Sequence, residues 1–438
     1  MDIVDLISEV IMQKIFYNAN IITYDKNNVS AEAFLINDES IVLVGSNEEV
    51  LSMKTDDTEI IDLENKVVIP SFFDVNTNVY KMIEDNLKNA NLEECIENNA
   101  EIDENYEKFD NYEVYKNEFL IIQEEYFSRG ITTIFEMGLS AKEFTFWKKL
   151  SQAGELKLDV IGFITIVTDK DVMDNNCRSY RKYAKHFRLG GYYLKIDDDL
   201  SKKKAWISKP YKHEYGYAGY STVVDEQLIC LFKAALDEKK QIIVETNGDL
   251  ALDQFLRSFE ECLKDKKDSD KFRPIAKNCN FISKKHLIQM KNLEISPSFS
   301  IDDLKIHSDY YKKSLGFIRA NKIQPIKMIN DLQMHYLIHS NTNTIPNIFE
   351  LATIATDRIF NNKKLVGQKH KISFQDAMYS FINYSAYFAF DLDFKGSIEN
   401  GKKANFIVLD DTMDNIYSNK KFDCILRTFI NGKEVFKK

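Results

Sequence analysis

Lys66-Val67-Val68-Ile69-Pro70-Ser71-Phe72-Phe73-Asp74-Val75-Asn76-Thr77-Asn78 divides this chain into two kinds of pattern. An apolar run closes at Pro70, an aromatic pair follows, and then come Asp74 and two asparagines separated by one residue. Before this stretch the chain breaks into short apolar segments, Ile15 to Thr23, Ala31 to Ile36, Ile41 to Val44 and Glu59 to Leu63. Each is bounded by Asn, Asp or Gly, which reads as strands and turns, with one helical turn at Glu48-Glu49-Val50-Leu51.

After it, helix-like stretches alternate with short apolar runs: Thr132 to Phe135, Val160 to Ile164, Tyr192 to Ile196, Gln241 to Val244 and Tyr336 to Ile338. Such alternation argues a parallel sheet, most simply a (β/α)8 TIM barrel. The chain then returns to β pattern at Asn405 to Leu409 and Ile425 to Lys433, where Asn431-Gly432 is a hairpin turn signal. The two ends therefore match, and the expected organisation is α/β. A TIM barrel takes residues 70–395, and residues 13–69 and 396–438 form a small composite β-sandwich domain. Residues 84–125 are acidic and Asn-rich, which reads as a surface helix or lid, and Lys264 to Lys271 reads as a solvated charged loop.

The chain has 438 residues, 44% of them hydrophobic and 29% charged, an ordinary globular composition. A net charge of −10 argues against a nucleic-acid partner, whose phosphates need Lys and Arg. The abundance of Asn, Lys and Ile reads as a bias toward AT-rich codons. The six cysteines (Cys95, Cys177, Cys230, Cys262, Cys279 and Cys424) show no Cys-x-x-Cys spacing and read as reduced thiols of a cytoplasmic protein. No apolar run is long enough to span a bilayer, so no membrane partner is expected. Residues 1–11 lack the basic start and cleavage site of a signal peptide, and Met12 is a candidate alternative start.

The chain resembles the amidohydrolase superfamily, specifically its amidohydrolase-3 branch. Five passages carry the resemblance. The first is the opening from Asn18-Ala19 to Ile61-Asp62-Leu63 with the Asp74 motif. The others are Gly130-Ile131-Thr132-Thr133-Ile134, Leu194 to Leu200, Val244 to Ala251, and Gly396-Ser397-Ile398-Glu399-Asn400-Gly401-Lys402-Lys403-Ala404-Asn405-Phe406. In the family the Asp74 passage continues as Asp, any, His, any, His. Relatives use zinc or another divalent metal, which activates water for attack on a C–N bond.

The resemblance assigns metal-binding roles position by position, and nearly all fall on other residue types. The paired histidines fall on Asn76 and Asn78. The lysine that is often carboxylated falls on Lys195, the histidine before the Gly-Asp pair on Glu245, the next histidine on Asn278, and the aspartate of the eighth strand on Asn341. Only Lys195 is retained. Asparagine is a poor ligand for zinc or iron, so no metal and no cofactor are expected. With the cation gone, Glu245 supplies a carboxylate to pair with the Lys195 ammonium, and a Lys195–Glu245 ion pair is expected in the barrel mouth.

Asp74, Lys195, Glu245 and Asp249 read either as a metal-free acid-base site or as a structural ion-pair network. His339 has the parity of Asn341 and reads as part of a remodelled site or as a core histidine. His213 borders the substrate site in relatives and also reads as a loop residue. Lys202-Lys203-Lys204-Ala205-Trp206 stands where relatives line their pocket. It reads as a holder for an acidic ligand or as an exposed loop.

The expected function is that of a pseudoenzyme, an amidohydrolase homologue without its metal ligands. It would bind a small molecule or a protein partner through Asn76, Asn78, Asn278, Asn341, His339 and Asp249. The alternative is a hydrolase of carbon-nitrogen bonds with a remodelled or metal-free site built on Lys195, Glu245 and Asp74. A homodimer, or pairing with an active homologue, is the expected assembly.

Overall fold

A computed structural model describes residues 13–97, 111–166, 180–264 and 272–438, without the side chains of 91–97. Met12, Cys177, residues 98–110 of the acidic stretch and 265–271 of the charged loop lie outside the described residues, as does the Cys95 side chain. The chain divides into two compact units. One takes the chain up to Ser71 together with Asp391–Lys438, and the other is Phe72–Phe390.

Among the described residues the first unit is a two-sheet β-sandwich. One sheet has four strands, in the order Ser40–Gly45, Ala33–Asn37, Gln13–Tyr17 and Glu59–Asp62. The other has six, in the order Lys433–Lys437, Ile425–Ile430, Phe406–Leu409, Val67–Pro70, Asn20–Ile22 and Ser30–Ala31. Phe16 and Phe34 from the first sheet pack edge-on against Phe406 of the second, and Phe16 also meets Phe429, all fully or nearly buried. Burying such rings stabilises a small unit by roughly 1.5–3 kcal/mol each. Asn431 and Gly432 both have positive φ, 50° and 73°, as a two-residue turn between right-twisted strands demands. Pro70 pairs with Phe406, so the apolar run before Asp74 belongs to the sandwich up to its proline.

The second unit is a barrel of eight parallel strands in chain order: Phe72–Thr77, Ile131–Leu139, Asp159–Thr165, Phe187–Lys195, Gln241–Glu245, Ile275–Lys277, Ser296–Ser300 and Leu337–His339. Neighbouring strands hydrogen-bond in sequence. The first and eighth strands are bridged by a side chain, the Asn76 amide donating to the Ser340 carbonyl at 2.7 Å. The strands are buried on both faces, which is why the second to fifth read as continuous apolar runs. The sixth and seventh, Ile275–Lys277 and Ser296–Ser300, carry too little apolar sequence to show in that pattern.

In its described part, the stretch expected as a surface helix or lid is two helices, Val79–Glu97 and Tyr112–Ser128. The second is no lid, because it buries Tyr115, Phe119, Ile122 and Tyr126. A spacing of three to four residues puts these side chains on one helical face.

Candidate functional site

Register builds the site. Lys195 pairs with Glu245 across the fourth and fifth strands, and Glu245 pairs with Lys277 across the fifth and sixth. Each is the last residue of its strand. Neighbouring parallel strands lie about 4.8 Å apart, so three strand ends present a row of cation, anion, cation.

The row is tightly bonded at its centre. Lys277 Nζ donates to Glu245 Oε2 at 3.0 Å, and both side chains are almost wholly buried. Lys195 Nζ lies 3.8 Å from Glu245 Oε1, so the ion pair expected from the sequence is the longer of two, and its lysine is half exposed. The Tyr193 hydroxyl donates to Oε2 and the Asn247 amide to Oε1 at 3.1 Å. Burial alone would raise the Glu245 carboxyl. The charges of Lys277 and Lys195, together with the hydrogen bonds from Tyr193 and Lys277, outweigh it and hold the group down to about 2.

This row forms part of a cavity of about 630 Å³ at the C-terminal ends of the strands, where TIM barrels place their sites. Asn76, Asn78, Lys195, Glu245 and Asn341 all line it, together with Lys277, Tyr193, Asp198, Asp199 and Lys202. Asp74, Asn278, His339 and Asp249 are not among the lining residues. A second cavity of about 400 Å³, between Tyr80, Tyr112, Tyr115 and Phe146, has among the described residues none of the expected ones and no carboxylate in its lining.

Asp74, His339 and Asp249 have other partners. Asp74 is buried and receives the Asn76 N–H at 3.3 Å; burial pushes its carboxyl up to about 8. His339 is a core histidine. Its Nδ1–H donates to the Ser340 carbonyl at 2.9 Å and its Nε2 accepts from Ser298 Oγ at 3.1 Å. Burial and then the Lys277 charge hold it down to about 3. Asp249 stands at the start of the helix Asp249–Leu263, fixing Ser208 through its N–H at 2.8 Å and its hydroxyl at 2.5 Å. Asn278 is buried with φ of 59°, which turns the chain away after the sixth strand and leaves Lys277 at the cavity.

Two further carboxylates shape the mouth. Glu136 accepts from Thr77 Oγ1 at 2.6 Å and from the N–H groups of Val79 and Tyr80, and Asn78 accepts the Lys81 N–H. Together they satisfy the exposed donors at the start of the helix Val79–Glu97. Asp197 accepts the N–H groups of Trp206, Asn247 and Gly248 at 2.7–2.8 Å, pinning the segment after the fourth strand to the end of the fifth. In the basic stretch, Lys203 pairs with Glu214 and Lys204 with Asp198, while Lys202 reaches the cavity. His213 is exposed in its loop.

These residues do not fit a divalent metal. Among the described residues no group of three or more His, Cys, Asp or Glu could hold one. The carboxylate at the centre, Glu245, is already hydrogen-bonded to the Lys277 ammonium and lies 3.8 Å from that of Lys195, and these two charges would repel a cation between them.

The family model for the amidohydrolase family matches residues 83–436. The protein LONG AFTER FAR-RED 3 of Arabidopsis thaliana is 23% identical over 339 residues, covering 70% of this chain and 55% of its own length. An N-substituted formamide deformylase of Arthrobacter pascens is 36% identical over 62 residues, 14% of this chain and 11% of its own. The chain thus spans about half the length of the first of these relatives and a small part of the second. An uncharacterised metal-dependent hydrolase of Pyrococcus furiosus has the same fold, with a TM-score of 0.77 at 18% identity over 91% of this chain and 99% of its own.

Proposed function

Because the chain belongs to the amidohydrolase family, we propose that it is a member that has lost its metal ligands and binds a small molecule without hydrolysing it. The row Lys195–Glu245–Lys277 carries this reading. Fixed cations stand beside Glu245, the carboxylate at the centre of the row, so its charge is already balanced without a metal. A general base works best with a pKa near the operating pH. Glu245 is held down to about 2, with both oxygens engaged, so it is poorly suited to activate water. The cavity volume falls in the range of small-molecule sites, about 300–1,000 Å³.

Among the described residues no helix is long and apolar enough to cross a membrane. A cytoplasmic location is part of the proposal, supported by the reduced thiols of Cys230, Cys279 and Cys424 among the described residues. So is assembly as a homodimer or with an active homologue. The neighbouring side chains Phe317 and Ile318, 71% and 75% exposed, are candidates for that contact.

The test is metal content by elemental mass spectrometry, on protein purified without chelator or metal-affinity tag. Less than about a tenth of an equivalent of zinc, iron, manganese or nickel is expected, since a working site should be near stoichiometric. One equivalent or more, with turnover of amides, overturns the reading.

A further inference from the structure

We propose that the barrel cavity selects a small organic acid, with its single carboxylate seated between Lys195 and Lys277. The inference rests on the metal-free reading above. Its basis is an inventory of donors and acceptors at the cavity wall.

Every acceptor at the centre is engaged. Glu245 Oε2 takes Lys277 and Tyr193, and Oε1 takes Asn247 and faces Lys195. A carboxylate oxygen has about two acceptor sites, so Glu245 has little left for a ligand. The donors are in the opposite state. An ammonium has three N–H groups. Among the described residues Glu245 is the one side-chain acceptor at bonding or ion-pair distance from Lys277 Nζ and Lys195 Nζ. Asn78 gives its carbonyl to the Lys81 N–H, which leaves its amide NH2 for the cavity. Asn341 gives its carbonyl to the Asn76 amide at 3.5 Å, which leaves its NH2 likewise.

The row and the two asparagine amides therefore offer hydrogens and ask for an acceptor. The row itself carries two cations against one anion, which favours a ligand bearing one negative charge. The rim acids do not cancel this surplus, because Asp198 pairs with Lys204 at 3.4 Å and Asp199 with Lys202 at 3.8 Å. A phosphate is the weaker candidate. The helix terminus that could cradle one, at Val79, already has its N–H groups on Glu136 and Asn78.

The experiment is calorimetric titration of the full chain with N-acetylglycine, butyrate and benzoate, each against its uncharged amide, and with inorganic phosphate. At least one acid is expected to bind saturably, and about tenfold or more tighter than its amide, the scale of one charge-assisted hydrogen bond. Lys195→Met, a half-exposed position that leaves the Lys277–Glu245 bond intact, should weaken that acid about tenfold. Lys195→Arg should retain it. Equal binding of acid and amide, tighter binding of phosphate, or no saturable binding of any acid overturns the inference. The last result on metal-free protein leaves the metal-free reading standing. Stoichiometric metal removes that reading and this inference together.

Discussion

Lys277 Nζ donates to Glu245 Oε2 at 3.0 Å, between two side chains that are both nearly inaccessible to solvent. A buried pair of this kind is strongly destabilised when one partner is removed, by about 3–5 kcal/mol, because the other charge is left alone. Glu245→Ala is therefore expected to lower stability by about that amount in urea unfolding. The double variant Lys277→Met with Glu245→Leu should recover most of it, since apolar replacement of both charges is often neutral. The folded Glu245 pKa, about 2, lies below the ordinary 4.5, so its contribution is present above pH 4.5 and is lost as pH falls toward 2. A double variant no more stable than Glu245→Ala counts against the pair as the centre of the mouth.

Asp74 carries the opposite sign. Burial raises its carboxyl from 3.8 to about 8, so the folded protein holds a proton there that the unfolded chain releases. Its contribution is fully present below pH 3.8 and fades as pH rises through 8. Asp74→Asn mimics the protonated form. Compared with wild type, the variant should gain on the order of a few kcal/mol between pH 5 and pH 8.5. The check is urea unfolding of both proteins at both pH values. The same difference at each pH would mean that Asp74 is ionised in the fold.

The barrel was legible because its second to fifth strands are buried on both faces and read as apolar runs. The sandwich was legible because its strands are punctuated by Asn, Asp and Gly and end in Asn431-Gly432. The seventh strand was not. Ser298 and Ser300 are buried polar residues, made tolerable by bonds to His339 and Asp302 that no pattern of hydrophobicity encodes. Within the site, Lys195 and Glu245 were legible through the resemblance, which set two metal-binding positions on them. Lys277, the end of the short strand Ile275–Lys277, was passed over because the resemblance set the next metal-binding position on Asn278, one residue on. Register across strands, which puts Lys277 beside Glu245, is a property of the sheet and is absent from any single segment.

The segment from Asp197 to Trp206 is held by one carboxylate and one missing side chain. A Cβ at Gly248 would lie 1.9 Å from the Trp206 carbonyl oxygen, a backbone atom that cannot swing aside. Gly248→Ala should therefore destabilise the protein by about 1–3 kcal/mol or more through overpacking. Trp206 should move with it, so the change should also appear as a shift in tryptophan emission. Unfolding and emission both unchanged would mean that the close approach of Gly248 to Trp206 is not a constraint.

His339 separates a structural from a catalytic reading of the eighth strand. Its Nδ1–H is directed at the Ser340 carbonyl, and its Nε2 accepts from Ser298, so both nitrogens are engaged in the neutral ring. Protonation would put a hydrogen on Nε2, facing a hydroxyl now acting as donor, in a buried site that already feels the Lys277 charge. Burial, and then the Lys277 charge, hold the ring's pKa down to about 3. Lowered from 6.5, it adds stability above pH 6.5 that is lost as pH falls toward 3. Nitrogen NMR of the imidazole should show one neutral Nδ1–H tautomer, unchanged from pH 8 to pH 5. A histidine serving as general base would instead titrate near the working pH. His339→Gln should leave ligand affinity nearly unchanged while lowering stability by about 1–3 kcal/mol, the cost of disturbing two buried hydrogen bonds. Titration of His339 between pH 6 and pH 7, or loss of ligand binding without loss of stability, would place it in the working site.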